Sequence, residues 1–299
     1  MPEPPELFGI VVPLLTPTDA RDRVDEAPLR QSIDRLIRAG VHGLFVGGSA
    51  GEGPLLADRE WDRLAEIAFD ATRGRVPLMA GAQDTSTRRI VDRARRLHKI
   101  GYRNIVVTPT YYIRSTTAGE HFRLFESCRE AGDGVNIIPY NIPQVTGSVI
   151  AVETFVKLAL DGTVRYCKES SGDLEYLAHL VNEGGKVGLK VFAGEERNAA
   201  TALRIGAAGL VPVCANIELK TYLEIYEAAA ERDGVALDRL QDRIRALVEV
   251  LVLSGPCWLS GPKYALRRLG LGLGIPVSPL PPAGGDQATR IEEFLTSDR

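Results

Sequence analysis

Seven lysines, Lys99, Lys157, Lys168, Lys186, Lys190, Lys220 and Lys263, stand among 36 basic residues, and the others are all arginine. Only these seven carry an amine that can deprotonate usefully, because a guanidinium stays charged. Taking a lysine out of water disfavours its charged form and lowers its pKa. The neutral amine can then attack a ketone and form a Schiff base. Tyr140 lies in the run Asn-Ile-Ile-Pro-Tyr-Asn-Ile-Pro at 136–143, where two prolines fix the backbone. A phenol held there could shuttle protons in Schiff-base chemistry, or could simply be a rim tyrosine with a hydrogen-bonded hydroxyl.

The loop Gly-Gly-Ser-Ala-Gly-Glu-Gly at 47–53 lets backbone approach a ligand closely, and its successive N–H groups could hold a carboxylate. Its spacing is not that of a dinucleotide fingerprint, and Pro54 stands where a phosphate-loop lysine should be. It does match G-x-S-x-G through Gly47, Ser49 and Gly51, which raises a serine hydrolase as a rival. That elbow should enter a helix directly, yet Gly53 and Pro54 intervene before the helix cap expected at Asp58. The last histidine, His179, also comes too early for a late catalytic base. A fourth segment, 104–112, runs from a strand-like stretch into Tyr111 and Tyr112, the kind of loop aromatics found at interfaces.

The totals set limits. With 44% hydrophobic residues and a formal net charge of -3, the chain is globular and offers no basic stripe for nucleic acid. No apolar run reaches the roughly 18 residues of a membrane span, and the stretch at 247–253 is too short. Residues 1–8 lack the pattern of a secretory signal. Cys128, Cys167, Cys214 and Cys257 are scattered without a CxxC pair, which reads as reduced thiols in a cytoplasmic protein. The histidines are isolated, so neither a zinc site nor any other metal site is expected.

Eight short runs rich in Val, Ile and Leu must position these groups: 9–15, 43–47, 77–81, 104–108, 136–140, 164–170, 190–193 and 209–213. Near-continuous apolar strands suit a parallel sheet covered on both faces. Amphipathic stretches separate them, such as Leu29, Ile33, Leu36 and Ile37 before Gly40, and Trp61, Leu64, Ala65 and Ala68. Eight strand–helix units predict a (β/α)8 TIM barrel over residues 1–216, completed and decorated by C-terminal helices over 217–299. A doubly wound open sheet is the runner-up, but it would place a phosphate loop after the first strand, and residues 9–17 hold none.

Barrel sites form at the C-terminal ends of strands. Lys99, Lys157, Lys220 and Lys263 fall in helical patterns and are expected as exposed charges, while Lys186 and Lys190 precede a strand. Lys168 alone lies near a strand's C-terminal end, and alternation puts Val164, Tyr166, Lys168 and Ser170 on one face. If that face is the interior, the amine is desolvated. A structural lysine paired with a buried acid is the competing reading.

Taken in order, these segments resemble the dihydrodipicolinate synthase/N-acetylneuraminate lyase family. The pieces are Leu15-Thr16-Pro17, the loop at 48–52, Val-Thr-Pro-Thr-Tyr at 107–111, Tyr-Asn-Ile-Pro at 140–143 with Thr146-Gly147, and Lys-Glu-Ser-Ser-Gly-Asp at 168–173. Gly194-Glu195 and the run 209–216 complete a series that spans nearly the whole chain. The resemblance implies a barrel that condenses or cleaves pyruvate, or a 2-keto acid such as a 2-keto-3-deoxy sugar acid, by aldolase or dehydratase chemistry. It implies that Lys168 forms the imine, Tyr140 is the general acid/base, and Ser49 links Tyr140 to Tyr111, supplied by a neighbouring subunit of a homotetramer. It places the carboxylate on the backbone N–H groups of Ser49 and Ala50, with Ser170, Glu196 and Val211 as further substrate contacts. No cofactor is required.

Departures bear on the substrate. Dihydrodipicolinate synthesis proper uses an arginine two residues after the proline of the Tyr-Asn-x-Pro motif, whereas Gln144 and Val145 follow Pro143 here. Ala50 replaces a second loop hydroxyl, and Pro212 occupies a position often held by serine. Glu196 could meet a sugar hydroxyl and Arg197 a distal carboxylate, or both could be solvated charges at a helix start. A barrel retaining the fold without catalysis is the remaining alternative.

Overall fold

Strands that are apolar on both faces have no wet side, so a sheet built from them must be covered inside and out. The computed structural model describes residues 6–297; the proline-rich start at 1–5 and residues 298–299 lie outside it. Eight parallel strands close on themselves in chain order: β1 (Gly9–Pro13), β2 (Gly43–Val46), β3 (Leu78–Gly81), β4 (Asn104–Val107), β5 (Asn136–Asn141), β6 (Tyr166–Glu169), β7 (Lys190–Ala193) and β8 (Gly209–Leu210). The seam between β8 and β1 pairs Gly209 with Gly9. A Cβ at Gly209 would lie 2.0 Å from the Gly9 carbonyl oxygen, so closure demands glycine there.

Between the strands lie α1 (Glu26–Arg38), α2 (Asp58–Thr72), α3 (Thr87–Ile100), α4 (Ala118–Ser127), the short α5 (Pro143–Thr146), α6 (Val152–Leu160), α7 (Leu174–Gly185) and α8 (Ala199–Ile205). Strand alternation sorts the apolar side chains into two cores. Ile10, Leu44, Val46, Ile105, Val107, Ile137 and Val191 point outward and pack under the helices. Val11, Phe45, Met79, Val106, Ile138, Tyr140, Tyr166 and Phe192 fill the barrel. The (β/α)8 barrel expected from the sequence is therefore the observed fold, and the open sheet is not.

After β8 the chain is helical: α9 (Leu219–Glu231) packs beside β1, and α10 (Gly234–Val248), α11 (Ser260–Arg268) and α12 (Gly285–Ser297) follow. A π-helical turn at Glu249–Leu253 continues α10. No helix among the described residues is long and apolar enough to cross a membrane.

The strands end earlier than their apolar runs. β1 stops at Pro13 rather than residue 15, and β8 has two residues, with Pro212 just beyond it. Proline cannot donate to a ladder, so the chain leaves the sheet there and becomes the rim. Two expectations are corrected. Asp58 is the first residue of α2, not its cap, and its carboxylate meets Arg93 at 3.2 Å instead. Lys263, expected as an exposed helix charge, is 1% exposed. Its Nζ donates to Glu52 Oε2 at 2.6 Å and to the Thr16 carbonyl at 2.5 Å.

Candidate functional site

Lys168 sits on β6 directly across from Tyr140 on β5, with Phe192 of β7 on its other side. Residues in register on neighbouring parallel strands share a face, so both side chains enter the barrel at its C-terminal end. The Lys168 amine lies 4.1 Å from the centre of the Tyr140 ring and 5.3 Å from that of Phe45. Burial among these rings lowers its pKa to about 7, against a smaller opposing pull from Glu196. The depth also depends on Gly194: a Cβ there would lie 2.1 Å from Ser170 Oγ and 2.9 Å from Lys168 Cε.

Burial raises the Tyr140 phenol well above its ordinary value, so it carries its proton across the physiological range, and the Ser170 and Ser49 hydroxyls draw it part of the way back. Ser170 Oγ approaches the phenol but has no partner at hydrogen-bond geometry. A donor or acceptor left open in a cavity is available to a ligand. Ser49, also beside the phenol, is on the loop after β2. That loop is braced by Glu52 N–H to Ser49 C=O and Gly53 N–H to Gly48 C=O, each 3.1 Å. Its glycines are packed against backbone: a Cβ at Gly53 would meet the Gly47 carbonyl oxygen at 2.0 Å. Among the described residues no backbone partner is found for the Ser49 and Ala50 N–H groups. The loop passes through a 3-10 turn at Gly53–Leu55 before α2, and no histidine lines the cavity beside Ser49, so it is not a nucleophile elbow.

These groups line a cavity of about 370 Å³ whose base includes Ser49, Ala50, Tyr140, Lys168, Ser170 and Val211. Tyr111 is not part of it. It is half-buried at the end of the β4 loop, close enough to Asp84, Arg89 and Arg93 to feel their charges. Next to it Tyr112 is 92% and Ile113 78% exposed.

Glu196 lines the cavity but is buried rather than solvated. Oε1 accepts the Val213 N–H at 2.8 Å, both oxygens lie 3.3 Å from the Cys214 N–H, and Tyr222 donates its hydroxyl to Oε2. Burial raises its pKa, against the pull of these donors. The carboxylate thus anchors the loop after β8. Arg197 is tied to Glu195, Nε to Oε1 at 2.8 Å and an Nη to Oε2 at 3.2 Å.

The outer wall was not anticipated. Val248, Val252 and Leu253, from the end of α10 and its π turn, and Trp258, from the turn before α11, line the cavity. The apolar run at 247–253 was the available signal, but its π turn, which carries Val252 and Leu253, leaves no mark in helical periodicity. The Glu52–Lys263 pair was missed as well. It ties α11 to the loop carrying Ser49.

The profile of the Dihydrodipicolinate synthetase family matches residues 6–297. An uncharacterised DapA-like lyase of Halobacterium salinarum is 33% identical over 297 residues, covering 98% of this chain and 94% of its own. The 4-hydroxy-tetrahydrodipicolinate synthase of Stenotrophomonas maltophilia is 31% identical over 279 residues, 92% of this chain and 91% of that one. The crystal structure of dihydrodipicolinate synthase from Bacteroides thetaiotaomicron superposes with a TM-score of 0.92 at 27% identity, covering 99% and 100% of the two chains. The protein therefore belongs to the dihydrodipicolinate synthetase family, whose members are class I, Schiff-base lyases.

Proposed function

We propose that Lys168 is the lysine that forms the imine and that Tyr140 moves the protons. The observation that carries this is a buried amine, its pKa near 7, set 4.1 Å from the ring of a protonated phenol. The neutral amine attacks C2 of pyruvate or another 2-keto acid, and the C2 oxygen leaves as water after taking protons delivered through Tyr140. The protonated imine is an electron sink. C3 then loses a proton, or the C3–C4 bond breaks, to give an enamine. Hydrolysis returns the free lysine.

The substrate carboxylate is assigned to the Ser49 and Ala50 N–H groups, and Ser170 and Val211 to contacts beside it. Glu196 acts here through the β8 loop it holds rather than through a sugar hydroxyl. Tyr111 lies outside its own cavity, which favours delivery to a neighbouring subunit's Ser49–Tyr140 pair in a homotetramer. The exposed Tyr112 and Ile113 supply apolar surface for that contact. The unpaired cysteines suit a cytoplasmic setting. Dihydrodipicolinate synthesis itself is disfavoured, because Gln144 and Val145 bring no cation to the cavity.

Lys168→Ala and Tyr140→Phe test the assignment in turnover assays on 2-keto acids. Lys168→Ala should abolish turnover, and Tyr140→Phe should slow it about 10²–10⁴-fold. Full turnover by Lys168→Ala would overturn the reading.

A further inference from the structure

The cavity has two different ends. Its base is polar, with the Lys168 amine, the Tyr140 phenol and the Ser49 and Ser170 hydroxyls. The rest of its lining is rich in apolar side chains: Ile142, Val145, Val248, Val252, Leu253 and Trp258. Three of these are apolar residues left wet at the opening: Trp258 is 40% exposed, Leu253 50% and Val145 54%. Apolar surface gathered around a concave opening marks a place where something apolar binds.

The polar side chains near that end already hold protein partners. Gln144 donates its side-chain amide to the carbonyls of Ser170 and Ser171 at 3.1 and 2.7 Å. Arg197, the cavity's second cation beside Lys168, is paired with Glu195 through two contacts. Glu196 spends both oxygens on Val213, Cys214 and Tyr222. A polyhydroxylated or carboxylated tail would have to leave water and compete with these contacts for Gln144 and Arg197, which costs affinity. An apolar tail loses nothing there and removes exposed Trp258 and Leu253 surface from water.

We propose that this enzyme takes 2-keto acids whose far end, beyond C4, is apolar, an aromatic ring or a branched aliphatic group, held by Val145, Val252, Leu253 and Trp258. The proposal rests on the lysine-imine reading and adds the substrate class. In the synthetic direction C3 of the pyruvyl enamine attacks the carbonyl carbon of an apolar aldehyde and a C–C bond forms. The aldehyde oxygen takes a proton by way of Tyr140, and water hydrolyses the imine to release a 4-hydroxy-2-keto acid and the lysine. Atoms balance without an oxidant or reductant.

The test is pyruvate condensation by the full-length enzyme with four aldehydes: benzaldehyde, 3-methylbutanal, glyceraldehyde and succinic semialdehyde. The expected result is that kcat/KM for the first two exceeds that for the last two by at least tenfold. Trp258→Ala and Val252→Asn should each narrow that ratio at least fivefold, and Trp258→Phe should restore much of it. A preference for glyceraldehyde or succinic semialdehyde, in an enzyme that borohydride traps with pyruvate, would overturn the substrate class and leave the imine standing. Failure of borohydride to trap pyruvate at all would overturn the lysine reading, and this proposal with it.

Discussion

Replacing Lys168 by methionine should make the protein more stable while destroying its activity. The lysine falls from an ordinary pKa of 10.5 to about 7 because it is buried. At about 1.4 kcal/mol per pKa unit, that corresponds to a folding penalty of about 5 kcal/mol at neutral pH. Methionine has similar length and no charge to desolvate. The ammonium's contact with the Tyr140 and Phe45 rings, of order 1–2 kcal/mol, offsets part of this penalty only while the lysine is charged, so a net gain of about 3–4 kcal/mol remains at pH 7. The sign with pH follows from proton counts. Between pH 7 and pH 10.5 the unfolded lysine holds a proton that the folded one has lost, so wild-type stability rises with pH across that window. Below pH 7 both states are protonated and the penalty is constant. The advantage of Lys168→Met should therefore be close to its full value at pH 7 and shrink to about 1–2 kcal/mol by pH 9.5. Urea unfolding of both proteins at the two pH values measures it. If Lys168→Met is destabilising by more than about 1 kcal/mol at pH 7, the amine is a charged partner in a structural ion pair and the desolvation argument fails.

Three further outcomes follow from the same geometry. Imine formation with pyruvate should fall about tenfold per pH unit below pH 7 and level off above it, because only the neutral amine attacks; stopped-flow or quenched trapping across pH 5.5–8.5 would show it. Lys263→Met leaves Glu52 buried without its cation and should cost about 3–5 kcal/mol in chemical denaturation. Adding Glu52→Gln should recover part of this, and a loss below 1 kcal/mol would mean the pair is not the brace described. Gly194→Ala should keep the circular dichroism spectrum yet lower kcat at least tenfold, since its Cβ would displace Lys168 Cε and Ser170 Oγ.

The barrel was legible because its strands are short apolar runs between glycines and amphipathic stretches, and that pattern allows few architectures. Lys168 was legible for a related reason: period-two alternation over 164–170 places it on the interior face with Tyr166, and barrel geometry then puts the amine at the reactive end. Strand ends were less legible, since apolar character continues past Pro13 and Leu210 into rim loops where the ladder has already stopped. Partners distant in sequence were hidden. A helical pattern around residue 263 shows an apolar stripe, but not the acid 211 positions away that removes the lysine from water. Glu196 looked like a solvated helix-start charge because the Tyr222 hydroxyl and the β8 loop N–H groups that surround it are set by packing. The mouth's apolar wall depends on a π turn that periodicity does not encode.

The most direct measurement of the central claim is borohydride reduction of the enzyme with pyruvate, followed by peptide mass mapping. One modified residue is expected, Lys168, with loss of activity in proportion to the modification. Modification of a different lysine, or bound pyruvate with no reducible adduct, would contradict it.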